Sequence, residues 1–248
     1  MDGITLVKVG GNEVDDRDWV RRLAAAIAAR RGGVVVVHGG GKEVTELQRA
    51  LGAEPEWRDG LRVTTPEAIR AVSMVLSGVV NKRLVSALVT AGADAVGISG
   101  EDAGLLSAIP ARGGALGRTG EVVEVRTRVV LVLLKQGMVP VISPVSRGPD
   151  GEALNVNADD AAAAIAGALK VDRFLLVSNV PGVLRDGEPM GELRVATVEE
   201  LIESGVASGG MAPKLRAAAR AAGAGVGEVR IGGLELLDGS VSGTRVVG

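Results

Sequence analysis

The sequence VVVVHGGGKEVTELQRALG, residues 34–52, contains the pattern that decides the fold. Four consecutive valines are too few for a helix and are typical of a strand that is buried on both faces. Three glycines interrupt the apolar run, and Val44, Leu47 and Leu51 then follow at helical spacing up to Gly52. The stretch therefore predicts a strand, a glycine turn and a helix, the repeating unit of a parallel α/β sheet.

The same alternation extends along the chain. A helix is predicted to begin at Thr65-Pro66-Glu67, because a hydroxyl cap, a proline at the first helical position and an acidic first turn favour a helix N-terminus. We expect an α/β fold with a mainly parallel open sheet sandwiched by helices. Further strands are predicted at residues 4–8, 141–143 and 174–177, and further helices at residues 16–30, 129–136 and 158–169.

The segment 100–124 departs from this alternation. It is rich in glycine, and Val122 and Val125 alternate with polar residues, so we expect β-hairpins inserted in the α/β order. A soft boundary is predicted near residues 168–171. We therefore expect two lobes of one continuous unit, residues 1–170 and residues 171–248.

The composition excludes several classes of function. The 248 residues carry a net charge of −2, and with no tyrosine, one phenylalanine and two tryptophans they offer little for nucleic-acid binding. The absence of cysteine excludes disulfides, thiolate catalysis and Cys-ligated metals, and the single histidine, His38, excludes a multi-His metal site. No apolar run approaches the ~18 residues of a membrane span, and the N-terminus lacks a secretory pattern. We expect a cytoplasmic protein without nucleic-acid or membrane partners.

Glycine clusters at residues 10–11, 39–41 and 209–210 lie at predicted strand ends or just before a helix. Any one cluster is equally typical of a tight turn. Ligands of parallel α/β sheets bind at the carboxyl ends of the strands, and glycine lets the backbone come close to a phosphate. With Lys8 and Lys214 nearby, the three clusters together predict a phosphate site.

The common phosphate motifs are absent. Gly41-Lys42 is followed by Glu43, so no P-loop is present, and no G-x-G-x-x-G follows a strand. These absences argue against P-loop enzymes, dinucleotide dehydrogenases and protein kinases.

Individual residues have two interpretations. A strand-end lysine such as Lys8 either extends into water at the sheet edge or neutralises phosphate oxygens. Lys214 opposes the dipole of its helix, which favours an anionic ligand beside it. Asn157 is predicted to cap a helix that has Asp159 in its first turn. His38 is predicted to be a structural histidine bonded to the backbone, without a role in proton transfer.

The blocks VKVGGN, HGGGKE, DGLRVT, LNVNADD, VSNVPGVL and GGMAPK, in this order, resemble the amino-acid kinase family. Within the family the chain is most similar to the branch that acts on N-acetyl-L-glutamate, from about Ile4 to the final GTRVV. The resemblance implies a carbamate-kinase-like αβα sandwich. It also implies ATP-dependent phosphorylation of the substrate γ-carboxylate to N-acetylglutamyl 5-phosphate, the second step of arginine biosynthesis. Mg²⁺ would arrive bound to ATP, without a dedicated protein metal site.

The resemblance also implies roles for residues at matching positions. Lys8 and Lys214 would stabilise the transferring phosphoryl group, and Asp159 would orient both lysines. N-acetyl-L-glutamate would be held by Gly40, Gly41, Arg62 and Asn155, with Arg62 pairing its α-carboxylate. ATP would be bound by Gly10, Gly11, Ser178, Asn179, Val180, Gly182, Leu184, Gly209, Gly210 and Met211.

Elementary chemistry agrees with this activity. A γ-carboxylate with an ordinary pKa of ~4.3 is already an anion at pH 7 and needs no general base. The difficulty lies in bringing two anions together, which requires cations and N–H donors rather than a histidine.

Two positions depart from the family pattern. Asn179 stands where members often carry an aspartate, and Ala103 stands where related kinases have a glycine. Neither change touches Lys8, Lys214 or Asp159.

Two other functions remain open from the sequence. The nearest alternative is a kinase of lysine biosynthesis that acts on aminoadipate or glutamate attached to a carrier protein. Two features argue against it: NVNADD matches the acetylglutamate branch, and the chain lacks the excess of basic residues expected for binding an acidic carrier. A catalytically inactive sensor on the same fold would not need both lysines and Asp159.

The resemblance also implies an oligomeric state. The first strand begins almost at once, whereas arginine-inhibited members carry an N-terminal helix that links dimers into hexamers. We therefore expect a homodimer that arginine does not inhibit. The apolar residues Val72, Val75, Val79, Leu84 and Leu88 fit either a dimer patch or the core.

Overall fold

The computed structural model describes residues 3–11, 13–58, 60–239 and 242–248, so Asn12 of VKVGGN and Asp59 of DGLRVT lie outside the described residues. The strands are β1 (Ile4–Val9), β2 (Gly33–His38), β3 (Glu56–Arg58), β4 (Leu61–Val63), β5 (Ala95–Ser99), β6 (Leu106–Pro110), β7 (Thr119–Val125), β8 (Val139–Ser143), β9 (Val145–Arg147), β10 (Ala153–Val156), β11 (Arg173–Val177), β12 (Leu184–Arg185), β13 (Glu188–Pro189), β14 (Glu192–Arg194), β15 (Glu228–Gly232) and β16 (Thr244–Val247). The α-helices are α1 (Arg17–Ala28), α2 (Gly41–Ala50), α3 (Pro66–Ser73), α4 (Asn81–Thr90), α5 (Arg128–Lys135), α6 (Ala158–Leu169), α7 (Val198–Glu203) and α8 (Met211–Gly223).

Eight strands form one sheet in the order β14-β16-β15-β11-β1-β2-β8-β5. Neighbouring strands are parallel except for β15 and β16, which are antiparallel. The predicted mainly parallel sheet is confirmed, and the predicted strands near residues 4–8, 34–37, 141–143 and 174–177 are β1, β2, β8 and β11.

Helices cover both faces of this sheet. Along β2 the valines alternate, with Val35 and Val37 in one core and Val34 and Val36 in the other. The first core includes residues of α5, α6 and α8, whereas the second includes residues of α1, α3 and α4. A strand buried on both faces needs apolar residues on both faces, which explains the unbroken valine run.

The helix signals in the sequence agree with the structure. The helix predicted over residues 16–30 is α1, and the predicted cap Thr65 accepts a hydrogen bond from the Ala68 N–H at the start of α3. Helix α2 ends before Gly52, whose φ of +82° lies in the left-handed region that glycine adopts without strain.

A small barrel interrupts the α/β order where hairpins were predicted. Strands β6 and β7 pair antiparallel, and with β9 and β10 they close a four-stranded barrel. Because β10 leads into α6, this insertion ends beside the carboxyl edge of the main sheet.

A continuous helix of 25 residues, Pro66–Thr90, crosses one face of the sheet. It consists of α3, a π-helix at Met74–Val80, and α4. By length and composition it could cross a membrane, a test that core helices also pass. Val72, Val75, Leu84 and Leu88 are buried in the core, whereas Val79 is exposed.

We predict that Ala103→Gly stabilises the protein. Ala103 has a φ of +52°, a left-handed conformation that costs a residue with a Cβ about 1–2 kcal/mol. Part of this gain is offset by the greater freedom of glycine in the unfolded chain, so the free energy of unfolding should rise by about 0.5–1 kcal/mol. Urea unfolding measures the change.

Ala115→Gly is the matched control. Ala115 is also exposed but has an ordinary φ of −61°, so its replacement should lower the free energy of unfolding by about 0.5–1 kcal/mol. Equal losses in both variants would contradict the strain at Ala103.

Candidate active site at the carboxyl edge of the sheet

Parallel pairing brings the carboxyl ends of β1 and β2 together. Lys8 pairs with Val37 and Val9 with His38, so the glycine loops after the two strands start side by side. A Cβ on Gly11 would lie 2.8 Å from the Gly40 nitrogen and 3.0 Å from the Gly41 nitrogen. Any side chain at position 11 would therefore push the two loops apart.

A cavity of about 200 Å³ opens at these loops. Seven residues that the sequence assigned to catalysis or ligand binding border it: Lys8, Gly11, Gly40, Gly41, Arg62, Asn155 and Asp159. Gly39, Trp57, Leu76, Thr119 and Asn157 also border it, together with other residues that carry no charge. The fold thus gathers residues that are more than 150 positions apart in the chain around one small space.

Lys8 and Asp159 form a buried ion pair in the wall of this cavity. Lys8 Nζ lies 2.8 Å from Asp159 Oδ1, and the two residues are 4% and 7% exposed. Asn157 caps α6 as predicted, with its Oδ1 accepting hydrogen bonds from the N–H groups of Asp159 and Asp160. This cap fixes the first turn of α6 and with it the position of the Asp159 carboxylate.

Lys214 approaches the site from α8. Its Nζ donates a hydrogen bond to the Gly210 carbonyl at 3.1 Å. Burial and the nearby charge of Lys8 lower the pKa of Lys214, while Asp159 and Glu13 act in the opposite direction. Lys214 therefore lies within electrostatic reach of the ion pair, although it does not line the cavity.

Arg62, the middle residue of β4, is held from several sides. It is 5% exposed, and Nη2 donates to the Gly41 carbonyl at 3.0 Å and to Thr45 Oγ1 at 2.8 Å. Nη1 donates to Gln48 Oε1, and the guanidinium lies 4.4 Å from the centre of the Trp57 ring. Both Nη2 hydrogens are used, and Nε–H and the second Nη1 hydrogen lie on different edges of the guanidinium. A carboxylate therefore meets only one of these two donors unless an Nη2 contact is released.

Asn155 is oriented by a chain of hydroxyl groups. Its Nδ2 donates to Thr64 Oγ1 at 3.0 Å, and Thr64 Oγ1 lies 3.0 Å from Thr119 Oγ1. Thr119 in turn donates to the Arg62 carbonyl. The polar groups of β4, β7 and β10 are thereby tied together along one wall of the cavity.

The N-terminus of α2 faces the same space. Gly40 has no side chain, so within the described part of the chain the N-cap position supplies no acceptor to the first N–H groups of α2. Such groups, with the positive end of the helix dipole, form a binding site for an anion.

A second ion pair clamps the loop after β1 to α2. Arg83 of α4 donates from Nη1 to Glu43 Oε1 at 2.5 Å and from Nη2 to Glu43 Oε2 at 2.8 Å. Nη1 also donates to the Val14 carbonyl at 3.0 Å. Arg83 holds the pKa of Glu43 below its ordinary value. Three elements next to the glycine loops are therefore joined through one guanidinium.

His38 is fully buried at the end of β2. Its Nε2 lies 3.2 Å from Asn81 Nδ2, and its Nδ1 lies 2.9 Å from the Gly39 carbonyl. Because the amide nitrogen can only donate, Nε2 accepts and Nδ1 carries the proton. The histidine is bonded to the backbone, as predicted, and burial lowers its pKa to about 4.

The residues expected to bind ATP are spread over several places, and of these residues Gly11 borders the first cavity. Ser178, Asn179 and Val180 follow β11 and border a separate cavity of about 250 Å³. Gly209, Gly210 and Met211 lead into α8. Gly182 packs on Thr244, and Leu184 is exposed in the β12–β13 hairpin. The structure does not bring these residues into one cavity.

Several residues of the site carry no signal of their role in the sequence. Glu13 follows Gly10 by three positions, a spacing that gives no sign of its contact with Asn179, 166 positions away. Thr119 and Trp57 carry no local signal. Gly39 was identified only as a member of its cluster. Within the described residues, no group of three or more His, Cys, Asp or Glu side chains could hold a metal ion.

Comparisons with known proteins agree on one family. The model of the amino acid kinase family matches residues 3–233. The chain is 50% identical to the acetylglutamate kinase of Roseiflexus sp. (strain RS-1) over 232 residues, 93% of this chain and 88% of that protein. It is 47% identical to the acetylglutamate kinase of Chloroflexus aggregans over 251 residues, 100% of this chain and 98% of that protein.

A solved structure extends the likeness to three dimensions. A crystal structure of a Streptococcus mutans UA159 protein superposes with a TM-score of 0.87 at 29% identity, covering 100% of this chain and 99% of that one.

We predict that His38 makes stability depend on pH. The unfolded chain binds a proton at His38 near the ordinary pKa of 6.5, whereas the folded protein does so only near pH 4. The contribution is complete above pH 6.5 and is lost as the pH falls toward 4, by about 3 kcal/mol in total.

Two measurements check this prediction. The sole imidazole resonance should show no titration between pH 8 and pH 5 by NMR. The stability difference between the wild type and His38→Asn, which keeps a donor near the Gly39 carbonyl, should shrink from pH 7 to pH 4. A resonance that titrates near pH 6.5 would contradict the burial argument.

Proposed function

The chain belongs to the amino acid kinase family, and on this premise we propose that it transfers the γ-phosphoryl group of ATP to the γ-carboxylate of N-acetyl-L-glutamate. The product is N-acetylglutamyl 5-phosphate, in the second step of arginine biosynthesis. Relatives named acetylglutamate kinase, 46–50% identical over most of the chain, support this substrate. The observation that carries the proposal is the cavity that combines Lys8, Arg62 and the start of α2.

The chemistry of this cavity suits a carboxylate acceptor. The acceptor is an anion at neutral pH, so the transfer needs no general base. The burial of His38, the single histidine, is therefore compatible with this reaction. The main barrier is repulsion between the carboxylate and the γ-phosphate, which fixed cations and N–H groups reduce. Lys8 is fixed for this task because Asp159 holds its ammonium group in a buried ion pair.

We assign the two lysines to the reacting phosphoryl group. Lys8 reaches it from β1 and Lys214 from α8, so the charge that spreads over its oxygens is met from two elements. Asp159 is bonded to Lys8 and acts on Lys214 through its charge. Its expected role as an orienting group is supported by a contact for Lys8 and by electrostatics for Lys214.

The acetylglutamate end of the site is assigned to Gly40, Gly41, Arg62 and Asn155. Arg62 pairs the α-carboxylate through one of the donors that its contacts with Gly41 and Thr45 leave free. Asn155 presents an amide whose orientation Thr64 fixes. The N–H groups at the start of α2 bind oxygens of the reacting groups.

ATP is placed along Gly10 and Gly11, the loop Ser178–Val180 and the start of α8. We propose that Mg²⁺ reaches the site on the phosphate oxygens of ATP, where Lys8, Lys214 and backbone N–H groups meet the remaining phosphate charge. Bound in that way, Mg²⁺ would supply neutralisation of phosphate charge. The residues 1–170 then form the acetylglutamate lobe and residues 171–248 the ATP lobe.

We further propose a cytoplasmic homodimer. Met74 and Val79 are more than half exposed on the outer side of the helix that crosses the N-terminal lobe, and a dimer contact on this side would cover them.

We expect acetylglutamate and Mg-ATP to yield an acyl phosphate that hydroxylamine traps as a hydroxamate. Release of ADP should be compared with acetylglutamate, free glutamate and carrier-linked aminoadipate in parallel. Turnover with the carrier-linked substrate alone would move the assignment to lysine biosynthesis. Binding of acetylglutamate without turnover would indicate a sensor.

Lys214 and Arg62 should fail in different ways when replaced. Lys214→Ala should lower kcat by about 10²–10³-fold, because the lost charge acts mainly in the transition state, and should leave the KM for acetylglutamate nearly unchanged. Arg62→Ala should act chiefly on the KM for acetylglutamate, since a charge-assisted contact worth on the order of 2–4 kcal/mol is lost.

Steady-state kinetics with acetylglutamate and ATP varied separately measure both effects. Arg62→Lys should restore little, because an ammonium group cannot replace the planar donors of a guanidinium. If Lys214→Ala changes only the KM for ATP, Lys214 is a nucleotide anchor and its assigned role is wrong.

A further inference from the structure

Glu13 is a buried carboxylate beside the glycine pair at the end of β1. It is 7% exposed and opens the short 3₁₀ turn Glu13–Asp15. Its Oε2 packs so closely on Gly10 that a Cβ at that position would lie 2.0 Å away. A buried charge is costly unless hydrogen bonds and opposite charges surround it, so its partners reveal what it does.

The first partner belongs to the loop that follows β11. Glu13 Oε1 accepts a hydrogen bond from the Asn179 N–H at 3.1 Å. Directly before it, the Ser178 N–H donates to the Gly232 carbonyl at 2.9 Å. The carboxylate thus joins two loops. One follows β1 and contains Gly10 and Gly11, which we assign to the phosphates of ATP, and the other is the loop Ser178–Val180, which we also assign to ATP.

The second partner is electrostatic. Within the described residues, the hydrogen-bond partner of Lys214 Nζ is the neutral Gly210 carbonyl. The charged groups that act on this lysine are Lys8 on β1, Asp159 on α6 and Glu13. Lys8 and burial disfavour the ammonium form of Lys214, and the two carboxylates favour it.

We propose that Glu13 is a positioning residue for phosphoryl transfer, which ties the loop Ser178–Val180 to Gly10 and provides the second negative charge beside the two lysines. This inference rests on the proposed function. With Glu13 present, Lys8, Lys214, Asp159 and Glu13 sum to zero charge before substrates bind. Without its charge the group carries +1, and Lys214 gives up its proton more readily.

The loss of that proton would weaken catalysis. A neutral amine stabilises the charge of a transferring phosphoryl group poorly. Glu13 therefore acts together with Asp159 to raise the pH up to which Lys214 stays protonated, although we place no substrate atom in contact with Glu13.

Glu13→Gln tests the charge with the shape retained. The amide oxygen can still accept from the Asn179 N–H, so the loop contact and the fold survive. Glu192→Gln is the matched control, because it removes one carboxylate from an exposed position on the edge strand β14. At alkaline pH, kcat should begin to fall at a lower pH in Glu13→Gln than in the wild type. The profile of kcat against pH should be unchanged in Glu192→Gln.

Glu13→Ala tests the loop contact. It removes the acceptor as well as the charge, so it should lower kcat by about tenfold or more even near neutral pH, by misplacing the nucleotide loop. A kcat equal to that of Glu13→Gln throughout the pH range would overturn the tie between the two loops.

A readout that is independent of activity is the titration of Lys214 itself. The chain has six lysines, so ¹³C-lysine NMR gives few resonances. The resonance that disappears in Lys214→Arg is that of Lys214. This resonance should titrate at lower pH in Glu13→Gln than in the wild type. Identical titrations would overturn the electrostatic role, whereas a wild type that fails to phosphorylate acetylglutamate would overturn the proposed function alone.

Discussion

The site depends on a contact between two backbones. Gly11 lies so close to the nitrogens of Gly40 and Gly41 that even a methyl group would separate them. Parallel pairing of β1 with β2 delivers the two loops to the same edge of the sheet, and the missing side chains allow the final approach. Only with this contact do the ammonium group of Lys8 and the first N–H groups of α2 face one small cavity.

Two ion pairs, one buried and one partly buried, then hold the arrangement in place. The pair Lys8–Asp159 joins β1 to α6, and Arg83 with Glu43 joins α4 to α2 and to the turn after β1. Such pairs are weak arguments for stability, because desolvation offsets much of their attraction. Their value here lies in geometry, since each fixes an element that borders the cavity.

The sequence predicted what local patterns determine. The valine run and the caps at Thr65 and Asn157 each act over a few residues, and all correspond to elements in the structure. The gathering of Lys8, Arg62 and Asp159 was available through resemblance to a family rather than through spacing. The partners of Arg62 on α2 and the contact of Glu13 with Asn179 arise from tertiary packing, which no local pattern encodes.

The π-helix at Met74–Val80 has a consequence for helical phase. Six buried residues follow one another at a constant spacing of four: Ala68, Val72, Leu76, Val80, Leu84 and Leu88. In a regular α-helix each step of four residues advances by about 40°, so five steps would carry the last residue to the opposite side. The wider turns of the π-helix take up much of this rotation, which keeps both ends of the helix on the core. Deleting one residue there would turn one end by about 100° against the other and separate Asn81 from its hydrogen-bond partner His38, or Leu76 from Gly40.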